Sequence, residues 1–186
     1  MPRILLVRHG RSSHVHAGWI DAAGFARWRD AYEAAGIADD DPPPIALRDA
    51  ASQADIVVAS DAARAVASAS RLSARVITTP LLRELELAPP LLGRLRLPLA
   101  AWTLLIGVRW GMRALPGQPT VAPHESQRAH DAARWLAELA ASHESVVAVT
   151  HGSLRLLVAQ RLIADGWRCE RPRKAHAHWS AWSLTR

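Results

Sequence analysis

Two histidines in this 186-residue chain share one local setting, each following an apolar run and preceding a glycine. Ile4-Leu5-Leu6-Val7 leads into Arg8-His9-Gly10, and Val146-Val147-Ala148-Val149 leads through Thr150 into His151-Gly152. Short apolar runs rich in β-branched residues predict buried strands, and open α/β sheets gather ligands beyond the carboxyl ends of their strands. Two imidazoles at two strand exits therefore predict one site. A third run, Ile56-Val57-Val58-Ala59, ends in Ser60-Asp61 as caps, with Arg64 in the first turn of the next helix. An arginine there adds to the helix N-terminal dipole in favouring an anion. Arg8, His9, Arg64 and His151 together predict a phosphate pocket. Gly10 leaves room for a sharp turn or an incoming ligand, and Ser12 offers a hydroxyl beside it.

A neutral imidazole attacks well near pH 7, so His9 is the candidate nucleophile for a covalent phosphohistidine. Arg8 and Arg64 would hold phosphoryl oxygens through charge-assisted bonds, and a protonated His151 would add a third donor. The leaving oxygen needs an acid, and Glu84 and Glu86 both stand in the segment 81–87.

At these residues the sequence resembles the histidine phosphatase superfamily, also called phosphoglycerate mutase-like. Arg8-His9-Gly10 matches its first block, Ser60 to Ala65 its Ser-Asp-x-x-Arg-Ala segment, and Thr150-His151-Gly152 its late Thr-His-Gly. Leu82-Arg83-Glu84 matches the Leu-x-Glu segment that supplies the family's acid, which favours Glu84 over Glu86. The blocks follow the family's order and span most of the chain. The resemblance implies a three-layer α/β sandwich with a mostly parallel sheet flanked by helices. It also implies phosphomonoester hydrolysis through His9, with His9, Glu84 and His151 catalytic and Arg8, Gly10, Ser12, Arg64 and Gly152 binding substrate. There are departures. Arg11-Ser12 stands where many members have Glu-Thr, and no asparagine matches the one that contacts phosphate, leaving His16 as a candidate donor in its place. Pro89-Pro90-Leu91-Leu92-Gly93 replaces the Trp-Glu-Gly of mutase-like members, which counts against mutase and sugar-bisphosphatase activities. A phosphomutase of the same chemistry and a non-catalytic binder of phosphate ligands or nucleic acid are the rival functions.

The length suits one domain over 1–186. The net charge of +6 rests on arginine, Lys174 being the only lysine. These basic residues are dispersed without an aromatic-basic stripe, so the expected partner is a small phosphorylated substrate rather than nucleic acid. Cys169 is the only cysteine, which excludes an intramolecular disulfide. The first strand begins at once, so a cytoplasmic location is expected. The apolar stretch 97–108 is far shorter than the roughly 20 residues of a membrane span. No metal and no cofactor are expected, because arginine and imidazole supply the positive charge. Asp39-Asp40-Asp41 is a solvated loop, and His14, His124, His130, His143, His176 and His178 lack metal-binding spacing on a helix face, so all but His124 are expected on the solvated surface.

Helical spacing runs over 14–37 through Trp19, Ile20, Phe25, Trp28 and Tyr32, closed by Gly36. Further helices are predicted at 45–52, 62–74, 125–141 and 154–163, a strand at 75–78, and a final edge strand at 178–184. Residues 89–123 read as a partly helical insertion, a lid whose Arg94, Arg96, Arg109 and Arg113, with Trp102 or Trp110, would meet the leaving group.

Overall fold

The computed structural model describes residues 1–16, 18–86, 95–113 (side chains to 108) and 121–186. In chain order these form β1 (Arg3–Arg8), β2 (Trp19–Ile20), α1 (Ala22–Ala34), α2 (Ile45–Ser52), β3 (Ile56–Ser60), α3 (Ala63–Ser70) and β4 (Ile77–Thr79). There follow β5 (Leu97–Pro98), α4 (Leu99–Arg113), α5 (Pro123–His143), β6 (Ser145–Thr150), α6 (Gly152–Ala164), β7 (Arg168–Glu170) and β8 (Ala181–Thr185).

The three apolar runs become the adjacent parallel strands β3, β6 and β1 of a six-stranded sheet, ordered β4-β3-β6-β1-β8-β7. They are apolar on both sides of the pleat because helices cover both faces. Ile4, Leu6, Val58, Val146 and Ala148 pack against Leu136 of α5 and Leu154, Val158 and Leu162 of α6. Leu5, Val7, Val57, Val147 and Val149 pack against Leu47 and Ala51 of α2 and Ala65 and Ala69 of α3. A third, smaller cluster joins α1 to α4 through Phe25, Trp102 and Ile106.

Strand register sets the site. Arg8 pairs with Thr150 and Ala59 with Val149, so His9, His151 and the end of β3 leave the sheet at one level. The backbone N–H of His9 donates to the Thr150 carbonyl at 3.0 Å, carrying the ladder up to the nucleophile candidate.

Several expected elements are corrected. The final strand is not an edge: β8 lies antiparallel between β1 and β7. The edge is β7, whose Arg168-Cys169-Glu170 carries no apolar alternation to announce it. The helix expected over 14–37 is only α1, capped by the Asp21 carboxylate on the Gly24 N–H, with β2 before it pairing with β5. The helix expected over 62–74 stops at Ser70, and the strand after it begins at Ile77. Within the expected lid, α4 is helical, while residues 87–94 and 114–120, including Arg94 and the Pro89-Pro90-Leu91-Leu92-Gly93 run, lie outside the described residues. So do the side chains of Arg109, Trp110 and Arg113. Trp102 is core rather than a leaving-group contact: it is fully buried and its indole N–H donates to the Ile20 carbonyl at 2.9 Å. Arg96, exposed, donates to the Trp19 carbonyl at 2.8 Å.

Candidate active site

His9 is buried at the exit of β1, with its ring centroid 5.0 Å from that of His151. Its Nδ1 lies 2.7 Å from the Gly10 carbonyl, an acceptor only, so the proton sits on Nδ1. Nε2 is left with its lone pair, toward which Arg64 Nε–H points at 3.2 Å. His151 takes the opposite tautomer. Its Nδ1 accepts from Arg64 Nη2 at 3.3 Å, so Nε2–H donates to the Ser60 hydroxyl at 3.0 Å. Burial, with the neighbouring arginines, pushes His9 down to about 3. Burial, His9, Arg64 and Arg8 likewise hold His151 well below its ordinary value. Burial thus favours the neutral form of both rings.

Gly10 is required by packing. A Cβ there would stand 2.6 Å from the Trp179 ring, and its N–H donates to Ser68 Oγ at 2.9 Å. Trp179 itself takes a left-handed φ of 59° and ties its indole to the Asp41 carboxylate at 2.8 Å. Backbone strain at a bulky residue marks a corner held by its surroundings, here directly beneath the nucleophile candidate.

Arg64 is 1% exposed, and each of its three guanidinium nitrogens is engaged. Besides the two imidazoles it binds the Tyr32 carbonyl at 3.0 Å and the Glu33 carboxylate at 3.0 Å, both from α1. Arg8 donates through Nη1 to the His176 carbonyl. Its Nε–H is enclosed and unpartnered, beside the N-terminus of α6, where a Cβ on Gly152 would lie 3.7 Å from it. A buried guanidinium N–H without an acceptor beside a helix N-terminus is a ready anion contact.

Glu84 lies across the N-terminus of α6 and accepts from the Leu154 and Ser153 N–H groups at 3.0 and 3.4 Å. Burial raises its pKa, and these N–H donors together with Arg64 only partly oppose that. Glu86 points elsewhere. It is exposed, and its carboxylate comes within 4.8 Å of ligand atoms of His124 and Glu125. That group is the His and carboxylate cluster able to approach a metal among the described residues, but Glu125 is already paired with Arg128. The Glu84 loop is set from below. Arg128 donates to the carbonyls of Leu81, Arg83 and Glu84, and Thr150 Oγ donates to the Leu82 carbonyl.

Of the residues expected in the site, His9, Arg64, His151, Arg8, Glu84, Gly10 and Gly152 come together. Among the described residues, Ser12 and His16 make no side-chain hydrogen bond to these. The Ser12 hydroxyl accepts the His14 N–H, closing a turn, and His16 Nε2 is buried without a partner. The Ser60 hydroxyl accepts both the Ala62 N–H at 3.2 Å, in the turn that leads into α3, and the His151 Nε2–H, while Asp61 pairs with Arg83. His178, expected on the solvated surface, stands beside His9 with ring centroids 5.6 Å apart and Nδ1 donating to the His9 carbonyl at 3.3 Å. Buried Arg155 holds the 175–180 turn through the Ala175 and Ser180 carbonyls and stacks on Trp182. Tyr32 was legible only as a packing position of the 14–37 periodicity, and Glu33 not at all. Only the strand–Ser–Asp junction gave any advance signal of the site, at Ser60.

No protein-family model matches the sequence, and no curated protein matches it. Solved structures do match its fold. A mycobacterial glucosyl-3-phosphoglycerate phosphatase shares 22% identity over 88% of this chain and 80% of its own, with a TM-score of 0.54. The same enzyme complexed with VO3 superposes over 100% of this chain and 98% of its own at 19% identity, with a TM-score of 0.56. A phosphoserine phosphatase from Entamoeba histolytica, in complex with 3-phosphoglyceric acid, gives 16% identity, 88% and 81% coverage and a TM-score of 0.50. The fold is that of the histidine phosphatases, a phosphoglycerate mutase-like α/β sheet flanked by helices. Among the described residues no helix is long and apolar enough to cross a membrane.

Proposed function

We propose that this chain is a phosphomonoester hydrolase that works through a phosphohistidine on His9. The observation that carries the reading is the His9 tautomer: Nδ1–H bound to the Gly10 carbonyl and Nε2 free of a proton, facing a buried guanidinium. In the first step the Nε2 lone pair forms a bond to phosphorus as the ester P–O bond breaks. The bond pair leaves on the ester oxygen, which takes the proton of Glu84 and departs as an alcohol. In the second step water attacks phosphorus, the N–P bond pair returns to Nε2, and Glu84 takes the water proton. Inorganic phosphate and the starting enzyme result.

Arg8, Arg64 and His151 act on the equatorial oxygens, where charge gathers in the transition state. A bound phosphoryl dianion draws the Arg64 donors away from His9 and Glu33, uncovering the nucleophile. It also favours a proton on His151, whose acceptor nitrogen is otherwise taken by Arg64. Gly152 keeps the α6 N-terminus open to the same anion.

Turnover of an aryl phosphate, followed by trapping of acid-labile, alkali-stable phosphate on His9, tests the proposal. His9→Ala is expected to abolish both while keeping the fold by circular dichroism. Undiminished hydrolysis by His9→Ala overturns it, and phosphate returned to a second hydroxyl of the retained product instead of to water assigns a mutase.

A further inference from the structure

The Arg64 guanidinium, buried at the centre of the site, has one carboxylate partner, and it comes from outside the sheet. Glu33, in the last turn of α1, places Oε1 3.0 Å from Arg64 Nη2. That turn is firmly held. The Tyr32 ring stacks on Trp28 with centroids 5.0 Å apart and 26° between planes, and Arg64 Cζ lies 4.3 Å from the Tyr32 centroid. The Glu33 side chain is 48% exposed, against 1% for Arg64, so its carboxylate links the buried guanidinium to the protein surface.

We propose that Glu33 determines specificity, selecting phosphomonoesters whose leaving group carries an ammonium close to the phosphate; the assignment rests on the phosphatase reading of this site. Glu33 is the counter-anion of Arg64. When phosphoryl oxygens take the Nη2 donor, the carboxylate is left about 4–5 Å from a dianion, two hydrogen-bond layers around one nitrogen. Like charges at that separation repel, and a buried flank screens them less than water does. Among the described residues Arg83 also feels Glu33, but both of its contacts at 2.6 Å are to Asp61. A β-ammonium on the leaving group relieves the repulsion by lying between the phosphate and Glu33. A neutral chain does not, and a second anion there makes it worse. The substrate class is therefore an aminoalkyl phosphate or a phosphorylated amino alcohol.

The test compares O-phosphoethanolamine with propyl phosphate, its near-isostere lacking the charge, in wild type, Glu33→Gln and Glu33→Asp, with an aryl phosphate as a common reference. Wild type is expected to favour phosphoethanolamine in kcat/KM by about 10-fold or more, as a charge-assisted contact implies. Glu33→Gln should bring the ratio near one, mainly by speeding propyl phosphate, and Glu33→Asp should keep most of the preference. Equal use of the two esters by wild type, or a preference that survives Glu33→Gln, overturns the assignment while aryl turnover still upholds a phosphatase. An equal gain on both esters in Glu33→Gln also overturns it, making Glu33 a plain competitor for Arg64. If wild type hydrolyses no ester, including the aryl phosphate, the phosphatase reading falls and the specificity with it.

Discussion

The neutral, buried state of His9 has a thermodynamic counterpart that can be measured without any substrate. In the unfolded chain this imidazole takes a proton near its ordinary value of 6.5, whereas in the folded chain burial and Arg64 delay protonation to about 3. Between those values the unfolded state binds more protons, so stability falls as pH drops through the window, by about 1.4 kcal/mol per pH unit for one group. The contribution is complete above 6.5 and is lost progressively toward 3. Moving from pH 7 to pH 5 therefore removes about 2 kcal/mol through His9 alone. His151, lowered for the same reasons, adds a loss of the same sign. Urea unfolding of wild type and His9→Asn at both pH values reads the His9 share together with its coupling to His151. Asparagine can still donate to the Gly10 carbonyl, which keeps the comparison local. The variant is expected to lose about 2 kcal/mol less than wild type over the interval. Equal losses would mean that folded His9 titrates near 6.5, and the case for a permanently neutral nucleophile would fail with it.

Glu84→Gln should slow alkyl phosphate hydrolysis by roughly 10²–10⁴-fold and aryl phosphates less at the phosphorylation step, because a phenolate leaves without help. Leaving-group dependence measured in both Glu84→Gln and Glu86→Gln checks this, and the dependence must follow Glu84. Gly10→Ala should destabilise by about 1–3 kcal/mol through overpacking against Trp179, seen as a lower urea midpoint with an unchanged slope.

The pairing of His9 with His151 was legible in the sequence because everything that makes it is local. An apolar run, an imidazole and a glycine recur at two places, and a buried parallel strand holds whatever follows it at the sheet's carboxyl edge. Arg64 was legible for the same reason, as a fixed offset from the strand ending at Ser60. The sequence also determined the helices on either face, through the uninterrupted apolar character of β1, β3 and β6. Other features had no local signature. Glu84 and Glu86 differ by two residues, and only the fold shows that one caps α6 while the other turns to His124 and Glu125. His178 looked like surface until β8 returned beside β1 and carried it next to His9. The tautomers depend on which lone pair or N–H each imidazole meets, and those partners, Ser60 and Arg64, come from other elements. Glu33 reaches Arg64 across 31 residues because α1 packs over the site through its aromatic residues. Periodicity sets which face of an element is buried, but where two elements meet depends on side-chain packing between segments distant in sequence, and only the tertiary structure resolves that.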